Sequence, residues 1–168
     1  MIQGGAMMAS GRGLLSPMQE SDLDEVVALE QASFPEPWTR KMFLGELRGN
    51  TFAVNVVARA GEAGDGLTLP AGALLGYILF WVVFDELHVM NLAVRQDIRR
   101  RGLGRDLARY ALSVGAIRGA RTALLEVRAS SVAAIALYES LGFARTCVRK
   151  GYYDCPREDA VIMTYVIE

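Results

Sequence analysis

Apolar residues along the chain recur with two spacings, which predict an alternation of helices and strands. Recurrence at three and four positions predicts helices over about 22–33, from Thr39 to about 47, from Leu103 to a stop near Gly119, and from Ser130 or Ser131 to Gly142. Shorter apolar stretches bounded by glycine or polar residues predict strands over 51–59, 73–83, 86–94, 122–127, 143–148 and 160–167.

The order of these elements predicts a mixed α/β fold. A strand, a helix and a second strand follow one another from Glu86 to Val127, and this connection requires a crossover. We therefore expect the two strands to be parallel neighbours inside an otherwise antiparallel sheet. No repeat marks a second domain, so we expect a flexible leader over residues 1–13 and one domain over residues 14–168.

Composition narrows the classes of function. The chain has 168 residues, is 52% hydrophobic, and carries 18 Lys and Arg against 19 Asp and Glu, which favours one folded domain without the basic excess of nucleic-acid-binding proteins. The single His88 and the spacing of Cys147 and Cys155 predict no metal site. The start has no secretory pattern, and the longest apolar run falls well short of the ~20 residues of a membrane helix. We expect a cytoplasmic protein that binds neither membrane nor nucleic acid.

A turn with two glycines, between a predicted strand and a predicted helix, is a candidate phosphate site. It reads Arg99-Arg100-Arg101-Gly102-Leu103-Gly104-Arg105. The first N–H groups of a helix lack partners and attract anions, and a glycine lets a phosphate approach the backbone. The turn lacks the third glycine of a Rossmann motif and the lysine of a P-loop. We interpret it as a pyrophosphate cradle, with a solvated arginine-rich face as the alternative.

With its neighbours, this turn resembles the acetyl-coenzyme A site of the GCN5-related N-acetyltransferase (GNAT) superfamily, and within it the RimI-type ribosomal-protein-alanine N-acetyltransferases. The resembling stretches are Phe34-Pro35 with Trp38, 91–94, 99–104, 125–130, 133–143, Tyr152-Tyr153 and 157–163. The resemblance implies a mostly antiparallel sheet of about seven strands with a splayed parallel pair, about four helices, and acetyl-coenzyme A as the acetyl donor. Two departures are Ser131, where relatives commonly carry asparagine, and a longer loop over 61–72.

The resemblance also implies two proton-transfer roles. Glu126 becomes the general base, acting through water, and Tyr138 the general acid for the departing thiolate. The sequence supports the first role because a charge interrupts the buried run Leu124-Leu125-Glu126-Val127, although a surface carboxylate is the alternative. Tyr138 lies on an apolar helical stripe, so core packing is its alternative.

Further residues are implied to bind the two substrates. Coenzyme contacts are expected from the backbone N–H groups of Leu92, Ala93 and Val94, from the turn over Arg99 to Arg105, and from Ser131. An acceptor peptide is expected between walls formed by Phe34 and Trp38 on one side and Tyr152 and Tyr153 on the other. Nearby acidic residues could attract a basic peptide: Glu36, Glu158 or Asp159.

The acceptor class follows from amine chemistry and from the resemblance together. An α-amine with a pKa near 7.7–8 is deprotonated far more easily than a lysine near 10.4, which suits a single water-coupled carboxylate. The resemblance implies the N-terminal alanine of the eighteenth small-subunit ribosomal protein, or another peptide N-terminus. A lysine or small-amine acetyltransferase on the same fold stays open, as do a coenzyme-binding sensor without turnover and a non-catalytic RNA-associated module.

Overall fold

A mixed sheet with helices on both faces forms the framework of the protein. The computed structural model describes residues 7–9, 13–61 and 69–167. Within these residues eight strands adopt the spatial order β1-β2-β3-β4-β5-β6-β8-β7. They are β1 (Met7–Ala9), β2 (Gly13–Pro17), β3 (Ala53–Arg59), β4 (Leu74–Val83), β5 (Glu86–Val94), β6 (Thr122–Arg128), β7 (Ala144–Asp154) and β8 (Arg157–Val166). The described helices are α1 (Leu23–Ser33), α2 (Arg40–Gly49), α3 (Leu103–Ile117) and α4 (Val132–Glu139).

The crossover predicted between β5 and β6 is confirmed. These strands pair in parallel, from Glu86 with Thr122 to Val89 with Leu125, and the other described pairs are antiparallel. Helix α3 forms the connection. The pairing of β5 with β6 stops at Val89 and Leu125, although both strands continue. Beyond these residues β5 stays paired with β4, and β6 stays paired with β8. A cleft therefore opens between two strands in the middle of the sheet.

The sheet has an apolar core on each face. Strand β4 is buried on both sides, and its side chains alternate between Tyr77 and Leu79 on the α1–α2 face and Ile78 and Phe80 on the α3–α4 face. This double burial explains why β4 is a continuous apolar run in the sequence, as expected for a central strand covered by helices.

The proline-containing elbow between α1 and α2 also forms as predicted. Helix α1 ends at Ser33, and Thr39 caps α2 by accepting a hydrogen bond from the Met42 N–H at 3.4 Å. The elbow over residues 34–39 therefore leaves the helical layer and lies beside the cleft, where it lines the cavity described below.

Two predicted regions differ from the structure. Strands β7 and β8 run over 144–154 and 157–166 rather than 143–148 and 160–167, because β7 continues through register shifts and a glycine, Gly151, at φ +59°. Within the predicted leader, Met7–Ala9 pairs with β2, which brings the described strands to eight rather than about seven. The remainder of residues 1–12, and most of the long 61–72 loop, lie outside the described residues.

Candidate active site

The cleft between β5 and β6 holds a cavity of about 270 Å³. Its lining comes from α1 and the elbow, the separated ends of β5 and β6, the start of α4, and β7. It is lined by Glu30, Phe34, Pro35, Glu36, Trp38, Val89, Met90, Asn91, Leu92, Leu125, Glu126, Val127, Arg128, Ser131, Ala134, Tyr138 and Tyr153. Part of each predicted set lies in this lining: Leu92 and Ser131 for the coenzyme, Phe34, Trp38 and Tyr153 for the acceptor, and Glu126 and Tyr138 for proton transfer. Ala93, Val94, the turn over 99–105 and Tyr152 are not among the lining residues.

The end of β5 has a backbone edge toward this cleft that β6 no longer pairs with. The Arg95 N–H donates to the Leu75 carbonyl at 2.9 Å, so Arg95 and, two residues earlier, Ala93 direct their backbone groups to β4. Leu92 and Val94 consequently direct theirs to the side that β6 has left. The Val94 carbonyl, which accepts from Arg99 Nε at 3.0 Å, has this orientation. Two of the three predicted backbone contacts, Leu92 and Val94, therefore face the cleft, and Ala93 faces β4.

Helix α3 begins beside this free edge. Gly102 precedes it at φ +92°, a conformation that favours glycine, and the Asp106 N–H is bonded to the Gly102 carbonyl at 3.0 Å. The N–H groups of Leu103, Gly104 and Arg105 precede that bond and have no acceptor within the helix. A Cβ at Gly104 would lie 3.3 Å from Leu137 Cδ2, so this glycine also serves the packing of α3 against α4.

The arginines of the turn separate into two groups. Arg99 donates to the Val94 carbonyl and to Ser33 Oγ, and Arg105 donates to Ser140 Oγ at 2.7 Å, so both hold neighbouring elements together. Arg100 and Arg101 form no ion pair within the part of the chain that the structure describes. Arg100 and Arg101 are therefore candidates to contact an anionic ligand directly.

Glu126 lies where β6 leaves β5, but it is less buried than the apolar run predicts. Its side chain is 30% exposed, and its carboxylate accepts from Arg149 Nη1 at 2.5 Å and from the Tyr152 hydroxyl at 2.8 Å. The inference from a buried charge is therefore wrong, because Glu126 occupies one of the half-buried positions that alternate with buried ones along β6, and side chains of β7 reach its carboxylate there. What singles out Glu126 is its place on the cavity wall.

Tyr138 packs in the core and also borders the cavity. Its ring is buried on α4 and contacts Phe143 edge-on, with centroids 5.5 Å apart, yet it also lines the cavity. Burial raises the pKa of Tyr138 well above that of an exposed tyrosine, so it keeps its proton. Ser131 lines the same cavity at the start of α4, where its side chain makes no capping hydrogen bond.

Three of the four predicted acceptor-wall residues line the cavity. Phe34, Trp38 and Tyr153 line it, while Tyr152 contacts Glu126 from β7. The acidic residues expected to attract a basic peptide are all paired: Glu36 and Glu158 with Arg128, and Asp159 with Lys150.

One buried carboxylate was not identified as a site residue from the sequence. Glu30 is 1% exposed and accepts from the Trp38 N–H at 2.8 Å, from Asn91 Nδ2 at 3.0 Å and from the Tyr77 hydroxyl. Burial, followed by the adjacent carboxylate, raises the pKa of Tyr77 far above its ordinary value. A glutamate at an apolar position of α1 was the available signal. Glu30 joins α1, the elbow, β4 and β5 at the floor of the cavity.

Two negative findings concern the described residues alone. None of their helices has the length and apolarity needed to cross a membrane. Among the same residues, no cluster of His, Cys, Asp and Glu could hold a metal ion.

Comparison with known proteins agrees with this geometry. Residues 23–143 match the acetyltransferase (GNAT) family. The chain is 38% identical to the ribosomal protein bS18-alanine N-acetyltransferase of Escherichia coli strain K12, over 91% of this chain and 97% of that protein.

Two solved structures share the fold. The crystal structure of the ribosomal-protein-S18-alanine N-acetyltransferase from Escherichia coli superposes with a TM-score of 0.77 at 36% identity, covering 92% of this chain and 93% of that one. Arabidopsis thaliana NAA60, crystallised with acetyl-CoA, superposes with a TM-score of 0.79 at 20% identity, covering 91% and 97%. The predicted fold and the resemblance to RimI-type enzymes are confirmed, and the chain belongs to the GNAT family of N-acetyltransferases.

Proposed function

We propose that this chain transfers an acetyl group from acetyl-coenzyme A to the N-terminal α-amine of a protein, with the N-terminal alanine of ribosomal protein bS18 as the acceptor. The observation that carries the proposal is the separation of β5 from β6, which surrounds one cavity with a free backbone edge, a carboxylate and a tyrosine. The 38% identity to a ribosomal protein bS18-alanine N-acetyltransferase supports the choice of acceptor. A ribosomal acceptor implies a cytoplasmic protein.

The start of α3 and the neighbouring edge of β5 suit a coenzyme A thioester. The N–H groups at the start of α3, with Arg100 and Arg101 beside them, suit the pyrophosphate. The backbone groups of Leu92 and Val94 suit the amides of an extended pantetheine arm, and an N–H on this edge suits the developing oxyanion. When bound, the thioester supplies an acyl group activated toward amines.

Two side chains are proposed to move protons. Glu126 accepts the proton of the attacking amine through a water molecule, and its hydrogen bonds from Arg149 and Tyr152 hold the carboxylate in one orientation. Tyr138 gives its proton to the departing thiolate. Its raised pKa suits this role, because a buried phenol keeps the proton until a strong base forms beside it.

An α-amine suits this arrangement better than a lysine. Phe34, Trp38 and Tyr153 line the cavity together, and its volume of about 270 Å³ suits a small terminal residue. Glu126 is the carboxylate proposed as the base, and its side chain is 30% exposed. Such a base can deprotonate an amine with a pKa near 8, whereas a lysine near 10.4 is costlier to neutralise.

A competition experiment tests the acceptor. The protein is incubated with acetyl-coenzyme A and a peptide that carries the N-terminal residues of bS18, a free N-terminal alanine and an internal lysine, and the added mass is located by fragmentation. We expect acetylation of the α-amine. A matched peptide with a blocked N-terminus should release no thiol. Modification of the lysine in both peptides would show a lysine acetyltransferase instead, and binding of the coenzyme without thiol release would refute turnover.

A further inference from the structure

Arg128 occupies an unusual position at the end of β6, two residues after Glu126. Its side chain is 11% exposed and makes contacts with two segments that are distant in sequence. Toward the elbow, Arg128 Nη2 donates to Glu36 Oε2 at 2.7 Å. Toward the β7–β8 turn, the guanidinium donates to the Cys155 and Pro156 carbonyls, each at 3.1 Å, and to Glu158 at 3.4 Å.

The same guanidinium also stacks on an acceptor wall. Its central carbon lies 4.1 Å from the centroid of the Tyr153 ring, within the range of a cation–π contact. Tyr153 lines the cavity, and so does the elbow that carries Glu36. Arg128 thus contacts both acceptor walls at once, and it does so from the strand that carries Glu126.

These contacts require an arginine. A guanidinium presents five N–H donors in a rigid plane and can stack while it donates, whereas an ammonium group is a compact charge that cannot span partners on opposite sides. Glu158 extends the arrangement, because its other oxygen accepts from the Ser130 N–H at the start of α4, the helix that carries Tyr138.

We propose that Arg128 is a positioning residue that fixes the separation of the two acceptor walls and so the width of the peptide entrance. This inference rests on the proposed function, since it assumes that the peptide enters between Trp38 and Tyr153. Arg128 does not transfer a proton in this proposal. It acts through Glu36 on the elbow and through Tyr153, the two carbonyls and Glu158 on the β7–β8 turn.

The test compares Arg128→Lys and Arg128→Met with Arg145→Met, which removes an exposed ion pair to Glu139 away from the cavity lining. We expect both Arg128 variants to raise the peptide KM by about tenfold or more, as displaced binding groups do, and to leave the acetyl-coenzyme A KM within about twofold. Arg145→Met should change neither. A parallel rise in both KM values would indicate general destabilisation and overturn the inference.

A second measurement does not depend on turnover. Amide hydrogen exchange should become faster in Arg128→Met both over the elbow, 34–39, and over 153–158, while α3 is unchanged. Unchanged exchange in these two segments would overturn the inference that Arg128 connects the two walls, whether or not the wild-type protein acetylates an α-amine. Absence of α-amine acetylation by the wild-type protein would refute the proposed function separately.

Glu36→Gln covers the case in which Arg128 variants fold poorly, because Glu36 is 42% exposed and its loss removes one link. On its own it should raise the peptide KM severalfold and leave the acetyl-coenzyme A KM within about twofold, and an unchanged peptide KM would overturn the inference. Where Arg128→Met folds, the double variant should show less than the product of the two effects. Fully multiplicative effects would refute a link through Glu36.

Discussion

Removal of the Glu30 carboxylate should cost more stability than any surface substitution on the same helix. Glu30 accepts three hydrogen bonds, from the Trp38 N–H on the elbow, from Asn91 Nδ2 on β5 and from the Tyr77 hydroxyl on β4. Glu30→Ala leaves all three donors without their acceptor. A buried donor left unsatisfied costs about 1–3 kcal/mol, so the upper range is about 9 kcal/mol.

The expected loss is smaller than that range because the carboxylate lies at the cavity. Water can enter beside Trp38 and Asn91, which are only partly buried, whereas the Tyr77 hydroxyl is enclosed. We expect a loss of about 3–5 kcal/mol, a large part of the ~5–15 kcal/mol that folded domains possess. Glu30→Gln should lose only about 1–2 kcal/mol, since its carbonyl can still accept and its amide can donate to the Tyr77 oxygen.

Urea unfolding followed by tryptophan fluorescence measures these losses. Trp38, one of two tryptophans, reports directly on the elbow. The matched control is Asp24→Ala on α1, which removes a carboxylate that is 90% exposed and paired with Arg40, and exposed pairs contribute about 0–1 kcal/mol. A loss for Glu30→Ala no greater than that for Asp24→Ala would show that these three hydrogen bonds do not stabilise the fold as argued.

Three further predictions concern turnover, coenzyme binding and alkaline pH. Glu126→Gln and Tyr138→Phe should each lower kcat roughly 10²-fold without lowering Tm, and near-wild-type kcat in both would refute their proton-transfer roles. Gly102→Ala places a side chain at φ +92°, a strain of about 1–2 kcal/mol, and should raise the acetyl-coenzyme A KM while sparing the peptide KM in initial-rate assays. Burial raises the pKa of Tyr153 to about 12 and that of Tyr77 further. Because these tyrosines have higher pKa values in the folded protein than in the unfolded chain, they stabilise the fold fully below about pH 10, and this stabilisation is lost as pH rises toward 12. The urea concentration at the unfolding midpoint should therefore decrease from about pH 10 to about pH 11. A smaller fall in Tyr77→Phe would assign part of that loss to Tyr77, and a midpoint independent of pH would contradict the prediction.

Elements whose hydrophobic pattern is local could be predicted from the sequence. Helix α3 has a long stripe at three and four positions, and β5 and β6 are apolar runs on either side of it, so their parallel pairing follows from the crossover rule. Strand β7 could not be placed in the same way. It is exposed along most of its length and carries Arg145, Arg149 and Lys150, and Gly151 interrupts its alternation, so its pairing with β8 depends on tertiary contacts.

The candidate site also contains residues that could be predicted from the sequence and one that could not. Glu126 and Tyr138 could be named through resemblance to a family, and each lies on the cavity. The bridging role of Arg128 could not be inferred, because its partners lie 28 and 92 residues away along the chain. A charged residue at a strand end has no local signature that separates a solvated side chain from one stacked between two walls.

A bulge in β5 shows most clearly why sequence reasoning stops short of the site. Pairing with β4 changes register between Phe80–Val89 and Leu79–Asn91, which leaves Met90 as an extra residue. Strict alternation would place Met90 and Asn91 on opposite faces of the sheet. Instead Met90 packs on the α1–α2 core and Asn91 reaches Glu30 on the same face. The bulge therefore returns Leu92 to the α3 face and directs its backbone into the cleft. Residues 89–94 form one nearly apolar run, so no spacing of polar and apolar residues marks the position of the extra residue. The direction in which the Leu92 and Val94 backbone groups point depends on that position.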